Sequence, residues 1–414
     1  MIGCVLAITF ACSDNPSSAP DPQIPDPVFG VIEVEVVTIG EDDDPDGYTV
    51  SIQGGETKEI EPNATLTFNQ VTTGNKTVTL SGIPGHCTLN GSPSQAFTLG
   101  DNEVRTIQFE VSCSAIFRDK ILFMRSTLEP FEYQIYSISP DGENQRMVSD
   151  LILWAFAAPS VSPDGLKVAF RRTESVGQES INEFGDIWVM NADGSDLQQL
   201  TNNVLANNFN PVWSPDGSKI AFSRTTPGAN SDIFVMNADG SDVINLTGSN
   251  NTNDAQPFWS PDGSQIVFRT VTQLGNNSVN RAIKKMNANG SNLEVLIESD
   301  DGIIYDSPKW SPAGDVIAFE KFVLGGSGEP RQIHLMNSDG SNVRKLFMEA
   351  GYPNLAASFA SWSPDGEHLA FSTVGGTAQN IFTININSLN IDIVTRGINR
   401  QHHINPSWSP FTRN

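Results

Sequence analysis

The chain has few basic residues. It contains 24 Lys and Arg against 48 Asp and Glu in 414 residues, and its formal net charge is −24. Binding to nucleic acid or to anionic lipid headgroups depends mainly on cationic contacts to phosphate. The shortage of positive charge therefore excludes nucleic acid and an anionic membrane surface as partners.

No run of 18 or more apolar residues follows the N-terminus, which excludes a membrane-spanning helix from the body of the chain. The short apolar stretch 2–11 resembles the end of a bacterial lipoprotein signal, with Cys12 as the acylated residue. It lacks a preceding Lys or Arg, and the alternative is a hydrophobic tail with incidental cysteines. We expect residues 1–12 to be the signal segment, with membrane contact only through a lipid at Cys12.

Cysteine is also scarce, with four in the whole chain. Apart from two near the N-terminus, only Cys87 and Cys113 remain, and both lie in one small segment. In an oxidising compartment they would form a disulfide whose loop of roughly 26 residues is worth about 3 to 4 kcal/mol in the chain-entropy model. The alternative is a reduced, buried pair.

Two segments precede the main body of the chain. Residues 13–28 are rich in Pro, Ser and Asp and predict an extended tether. Residues 29–114 contain short stretches of alternating apolar and polar residues between turn residues, which predicts six or seven strands. We expect an immunoglobulin-like or transthyretin-like β-sandwich. The segment is similar to small domains found ahead of bacterial surface propellers.

The remaining residues repeat. A string of the form x-P-x-W-S-P-D-G followed by K-I-A-F recurs with its second proline 46 to 52 residues apart. The six prolines are Pro163, Pro215, Pro261, Pro312, Pro364 and Pro410. A second string, D-I-F-V-M-N-A-D-G-S followed by L-T, lies between successive copies of the first. Each repeat therefore predicts four strands, with tight Asp-Gly turns after the first and the third.

This period is typical of propeller blades. The repeats begin with a second strand at 120–125 and end with a first strand at 405–410. We therefore expect the C-terminal strand to complete the N-terminal blade and close a ring, which removes two exposed sheet edges.

The W-S-P-D-G, K-I-A-F and M-N-A-D-G-S strings resemble those of the TolB-type family of WD-repeat-like propellers. The resemblance implies an all-β fold with a six-bladed β-propeller at 115–414 and a role in the cell envelope. The repeated Asp residues are interpreted as turn residues, because each lies before Gly in a separate repeat. The repeated Trp residues are interpreted as packing between blades. No hydrolase elbow or nucleotide-binding motif accompanies the repeats, so we expect no enzyme.

One acidic segment resembles the start of a calcium-binding loop. Asp42, Asp44 and Asp46 stand at alternate positions before Gly47, as hard oxygen ligands would. Gln53 stands where a bidentate Glu is expected, and the alternative is a solvated acidic turn. Ca²⁺ is the one cofactor that the sequence suggests.

The loops that lead into the first strand of each blade should meet at the mouth of the central channel. Alignment on the first proline of the repeat places polar residues from several blades there. The predicted partner-binding residues are Asn208, Asn210, Asp254, Gln256, Tyr305, Asp306, His403 and Asn405. The alternative is a set of merely solvated loops.

These features together predict a monomeric, non-enzymatic lipoprotein of the periplasm or cell surface, anchored to the outer membrane. Its propeller would bind an envelope protein or a peptidoglycan-associated protein at the channel mouth. The alternative is a glycan-binding or glycan-cleaving surface propeller.

Overall fold

The computed structural model describes residues 27–40, 47–83, 87–113, 117, 119–126, 132–151, 153–154, 158–173, 184–202, 205–248, 251–275, 278–299, 302–323, 330–349, 351, 355–374, 378–397 and 401–410. These residues fall into two compact units that divide near Ser112. Cys12, Asp42, Asp44 and Asp46 lie outside the described residues.

The described residues of the N-terminal unit form eight strands in two four-stranded sheets. The strands are β1 (Phe29–Gly40), β2 (Tyr48–Ile52), β3 (Thr57–Ile60), β4 (Thr65–Thr72), β5 (Gly74–Ser81), β6 (Cys87–Leu89), β7 (Ser94–Leu99) and β8 (Val104–Cys113). The sheet orders are β4-β1-β8-β6 and β3-β2-β5-β7. Every stretch with apolar alternation forms a strand, because alternate side chains such as Ile32, Val34 and Val36 are buried on one face. The short strands β3 and β6 carry no such pattern.

Cys87 and Cys113 are disulfide-bonded. They lie at the start of β6 and at the end of β8, which are neighbours in one sheet. The predicted disulfide is thus present, and the alternative of a reduced pair is wrong.

The C-terminal unit begins with the strands β9 (Ile121–Ser126), β10 (Glu132–Ile138), β11 (Arg146–Met147), β12 (Leu153–Trp154), β13 (Ser160–Val161), β14 (Lys167–Arg172), β15 (Asp186–Asn191), β16 (Gln198–Gln199), β17 (Asn207–Trp213), β18 (Lys219–Thr225), β19 (Ser231–Asn237) and β20 (Ile244–Asn245). It continues with β21 (Thr252–Trp259), β22 (Gln265–Gly275), β23 (Ser278–Asn287), β24 (Glu294–Ser299), β25 (Ile303–Trp310), β26 (Val316–Val323), β27 (Gln332–Asn337), β28 (Arg344–Lys345), α1 (Leu346–Glu349), β29 (Ala357–Trp362), β30 (His368–Thr373), β31 (Ile381–Asn385), β32 (Ile391–Ile393) and β33 (His403–Trp408). Across the described ranges, no helix has the length and apolar character needed to cross a membrane.

The described strands of this unit form six antiparallel sheets. Five of them consist of four consecutive strands, in the orders β13-β14-β15-β16, β17-β18-β19-β20, β21-β22-β23-β24, β25-β26-β27-β28 and β29-β30-β31-β32. The sixth has the order β11-β10-β9-β33, with β12 also paired to β10. The C-terminal strand β33 therefore pairs with β9, from His403 opposite Arg125 to Trp408 opposite Ile121. The predicted pairing of the last strand with the first sheet is confirmed.

Six clusters of buried side chains join these sheets. Five of them contain residues from two consecutive sheets. The sixth joins the last sheet to the first, with Ile121 and Phe123 from the first, Ala370 and Ile381 from the last, and Trp408 from the closing strand. The five repeated tryptophans each lie in a cluster of this kind, which confirms that they pack between sheets. Both faces of each sheet are therefore covered by neighbouring sheets.

The Ser-Pro-Asp-Gly strings form tight turns held by the aspartate. In one of them, Asp216 Oδ1 accepts hydrogen bonds from Ser214 Oγ at 2.6 Å and from the Ser218 backbone N–H at 3.0 Å. Gly217 has a φ of 69°, which favours glycine. The hydrogen bond from Ser214, followed by those from Ser218, lowers the pKa of the Asp216 carboxyl. The interpretation of the repeated aspartates as turn residues is confirmed.

Asp216→Ala should lower the free energy of unfolding by about 1 kcal/mol, because the turn loses a charged acceptor shared by several donors. Asp392→Ala is the matched control, since Asp392 is an exposed carboxylate on the outer strand β32, outside the Ser-Pro-Asp-Gly turns. Urea unfolding of the two variants and the native chain measures the difference. Equal losses in the two variants would contradict the role of Asp216 in the turn.

Candidate functional site

One cavity of about 460 Å³ is lined by the same strand from each of the six sheets of the C-terminal unit. Its wall includes one residue from the middle position of every P-x-W motif, or of the string that corresponds to it. These six residues, here called the channel ring, are Ser160, Val212, Phe258, Lys309, Ser361 and Ser407. Because all six sheets contribute, the cavity lies where their first strands converge, and we call it the central channel.

A smaller cavity of about 40 Å³ adjoins the channel at the start of these strands. Five of the strands carry a bulge there, with a residue in the left-handed backbone conformation. These residues are Asn210, Gln256, Ser307, Phe359 and Asn405, with φ between 51° and 59°. The register shifts of β17, β21, β25, β29 and β33 bracket the same positions. A bulge changes the direction in which the following side chains point.

Among the described residues that line the two cavities, Lys309 alone is charged. Its Nζ lies 4.6 Å from the centroid of the Phe258 ring, within the range of a cation–π interaction. Burial lowers the pKa of Lys309 to about 8, and the carboxylate of Glu320 acts in the opposite direction. At neutral pH the channel therefore contains an ammonium group.

A buried ionic network lies behind this part of the wall. Glu320 is fully buried, and its Oε2 lies 2.9 Å from Arg331 Nη1. Its Oε1 accepts a hydrogen bond from the Phe359 backbone N–H at 2.7 Å. Burial raises the pKa of Glu320 to about 7, against the effect of Arg331. The network holds β29, which carries Phe359, to the preceding sheet.

Asp306 belongs to the same region. Its carboxylate lies 3.2 Å from Arg269 Nε, and its side chain is 17% exposed. Burial raises the pKa of Asp306, whereas Arg269 and Arg331 lower it. Asp306 thus ties β25 to β22 of the preceding sheet.

Five of the eight predicted partner-binding residues lie in the interior. Asn208 is fully buried, where it accepts a hydrogen bond from Arg224 Nε at 2.7 Å and donates one to Asp186 at 3.1 Å. Asp254 is also buried and accepts hydrogen bonds from Thr252 and Thr270. Both residues position strands through these contacts.

The other three buried residues pack against aromatic or sulfur groups. Tyr305 packs edge-on against Phe319, with ring centroids 6.0 Å apart. His403 packs against Phe123 at 5.2 Å, and burial lowers the pKa of His403 to about 4. Asn405 is buried and donates a weak hydrogen bond to the sulfur of Met124. None of the five presents an open surface to a partner.

Asn210 and Gln256 line the smaller cavity. The Gln256 side-chain oxygen also accepts a hydrogen bond from the Ser307 backbone N–H at 2.8 Å, which links neighbouring sheets. The sequence analysis missed the channel ring. Its signal is the position before each buried Trp, because neighbouring residues of a strand face opposite sides.

The sequence analysis also did not identify a group of possible metal ligands. Ligand atoms of Asp365, Glu367 and His368 lie within 4.8 Å of one another. Asp365 already accepts hydrogen bonds from Ser363 Oγ at 2.5 Å and from the Glu367 backbone N–H at 2.9 Å. The arrangement is that of the other Ser-Pro-Asp-Gly turns, and the turn accounts for it.

Comparison with known proteins agrees with the repeat pattern. The family model described as TolB beta propeller domain matches residues 112–321, about half of the chain. The "Tol-Pal system protein TolB" of Gluconobacter oxydans is 35% identical over 116 residues. That alignment covers 26% of this chain and 22% of the relative, so the chain spans about a fifth of that protein's length.

Solved structures share the fold. The crystal structure of TolB from Acinetobacter baumannii superposes with a TM-score of 0.54 at 18% identity, over 71% of this chain and 67% of that one. Hydrazine synthase from Kuenenia stuttgartiensis superposes with a TM-score of 0.58 at 17% identity, over 72% of this chain and 48% of that one. At these identities the likeness concerns the fold alone.

The buried Glu320 should give the protein a measurable pH dependence. Its pKa is raised from the ordinary value of 4.5 to about 7, so the folded state binds more protons in this range and stability falls as pH rises through it. His403, with a pKa lowered from 6.5 to about 4, contributes the opposite slope. The Glu320→Gln variant should therefore lose less stability than the native chain between pH 5 and about 7.

Urea unfolding at several pH values measures this difference, and the slope of His403 cancels because both proteins contain it. Identical pH profiles for the native chain and Glu320→Gln would show that Glu320 is ionised with an ordinary pKa.

Proposed function

This chain belongs to the TolB β-propeller domain family, and from that membership we propose that it binds a partner protein through its central channel. In this proposal the six sheets are the blades of a six-bladed propeller, closed by β33 on β9. The two sheets of the N-terminal unit are the layers of a β-sandwich. Continuous packing from each sheet to the next, and from the last to the first, supports the closed ring.

The observation that carries the proposal is the composition of the channel wall. A volume of about 460 Å³ lies in the usual range of ligand sites. The wall combines aromatic and proline side chains with a few polar groups, among them Lys309 and the ring serines. This mixture suits a peptide segment, which offers apolar atoms and a few polar groups.

The proposed setting is the cell envelope. The relative from Gluconobacter oxydans is a protein of the Tol-Pal system, and a Tol-Pal type of interaction is the role we propose here. The disulfide between Cys87 and Cys113 supports an oxidising compartment such as the periplasm. A lipid at Cys12 would anchor the chain to the outer membrane, with residues 13–28 as the tether. Ca²⁺ binding by Asp42, Asp44 and Asp46 stays a prediction.

We propose binding rather than catalysis because the carboxylates near the channel have structural partners. Asp216 and its counterparts hold turns, and Glu320 pairs with Arg331. Of the predicted rim, Asn210 and Gln256 remain as residues that a partner at the channel mouth would meet, whereas Asp306 is paired with Arg269. The five buried residues would position the strands that form that mouth.

Filling the channel should abolish partner binding. Ser361→Phe places in the ring a side chain that the fold already accommodates at Phe258, the equivalent position of another sheet. Gln198→Phe is the control, because Gln198 is exposed on the outer strand β16. After cross-linking in the native envelope, the Ser361→Phe chain should recover at least about tenfold less of the specific partner than the native chain.

The Gln198→Phe chain should recover as much partner as the native chain. Equal partner recovery by Ser361→Phe and the native chain would refute binding through the channel.

A further inference from the structure

The channel ring is chemically asymmetric. Val212, Phe258 and Lys309 come from three consecutive sheets, and Ser361, Ser407 and Ser160 come from the next three. One half of the ring is therefore apolar with a single ammonium group, and the other half presents hydroxyl groups.

Two of the hydroxyls are fixed in position. Ser160 Oγ accepts a hydrogen bond from the Trp213 backbone N–H at 3.2 Å, and Ser361 Oγ accepts one from the Trp408 backbone N–H at 2.9 Å. A serine hydroxyl that accepts one hydrogen bond still has its own proton to donate. Both hydroxyls can thus donate to a ligand in the channel.

Lys309 is likewise held by its backbone. Its carbonyl oxygen accepts a hydrogen bond from Trp362 Nε1 at 3.1 Å, which fixes this part of β25 against the next sheet. Its ammonium group lies against Phe258 in a wall whose other residues are uncharged. Removing an ammonium group from water disfavours folding, and the attraction of Glu320 offsets only part of this cost, because the pKa of Lys309 stays lowered.

The charge of Lys309 is opposite in sign to the net charge of the chain. The formal net charge is −24, yet the one charged residue in the described part of the channel wall is a cation. The net charge of the protein repels an anion that approaches it, whereas the ammonium group in the channel attracts it. Lys309 and the serine hydroxyls are all donors, the combination that recognises a carboxylate.

We propose that the central channel binds a carboxylate side chain of a partner's peptide segment, with Lys309 Nζ as the ion-pair partner and the ring serines as hydrogen-bond donors. This inference rests on the proposed function, because it names the chemical group that the channel selects. The proline and tryptophan side chains of the wall pack against the apolar atoms of the peptide on either side of that group.

The test compares two blocked peptides, acetyl-Ala-Ala-Glu-Ala-Ala-amide and its Gln analogue, on the purified full chain. Tryptophan fluorescence reports binding because five tryptophans line the channel. The Glu peptide should bind at least about tenfold more tightly than the Gln peptide, the effect expected of a charge-assisted hydrogen bond. Isothermal titration gives an independent affinity.

Three variants test whether Lys309 causes the preference for the Glu peptide. Lys309→Met should reduce the Glu-to-Gln ratio to about one, whereas Lys309→Arg should retain a preference for Glu. Lys219→Met removes the same charge from an exposed position and should leave the ratio unchanged. Thermal unfolding checks that each variant is folded, and Lys309→Met should be at least as stable as the native chain.

A ratio near one in the native chain, a ratio that survives Lys309→Met, or the absence of saturation by the Glu peptide to about 10 mM would overturn the inference. Binding of digalacturonate in place of the Glu peptide would assign the channel to acidic carbohydrate and would also overturn it. The peptide titration uses no partner protein, so a negative result there contradicts only the carboxylate preference. The proposed function is refuted by a different result, namely unchanged partner recovery by the Ser361→Phe chain.

Discussion

The pairing of the C-terminal strand β33 with β9 is the interaction on which the C-terminal unit depends. It brings together the two ends of the repeat region, and Trp408 completes the cluster that joins the last sheet to the first. Without that pairing, β9 and the last sheet would each expose an apolar surface. The channel depends on the same pairing, because β33 supplies Ser407 to the ring.

Much of this fold follows from the repeats. The Asp-Gly turns, the four-stranded sheets and the closing strand were predictable because each copy of a string must adopt the same local structure. The sequence did not predict which side chains face the channel. A bulge at Asn210 and at its counterparts shifts the register by one residue, and such a shift exchanges the two faces of a strand. Alignment on the first proline of the motif therefore places Asn208 and Asp254 at an open rim, whereas both are buried in the structure.

The charged residues have two different roles. Most turn aspartates, such as Asp216, are exposed and use their charge to hold a turn. Glu320 and Lys309 occupy buried surroundings that disfavour their charged forms, with their pKa values displaced to about 7 and about 8. Glu320 has Arg331 as a partner. Lys309 faces the channel, and stability given up at such a position is a common consequence of a binding function.

Formation of a disulfide between the closing strand and the first sheet tests the closed ring most directly. Arg125 and His403 are directly opposite each other in the antiparallel pair of β9 and β33, at a separation that a disulfide can span. The double variant Arg125→Cys, His403→Cys should form this disulfide on mild oxidation, as peptide mapping without reduction would show. The control Arg125→Cys, Thr225→Cys, which pairs the first sheet with β18, should not form one. A closed ring predicts the disulfide in the first variant alone, and its absence there, or its equal formation in both variants, would contradict the closure.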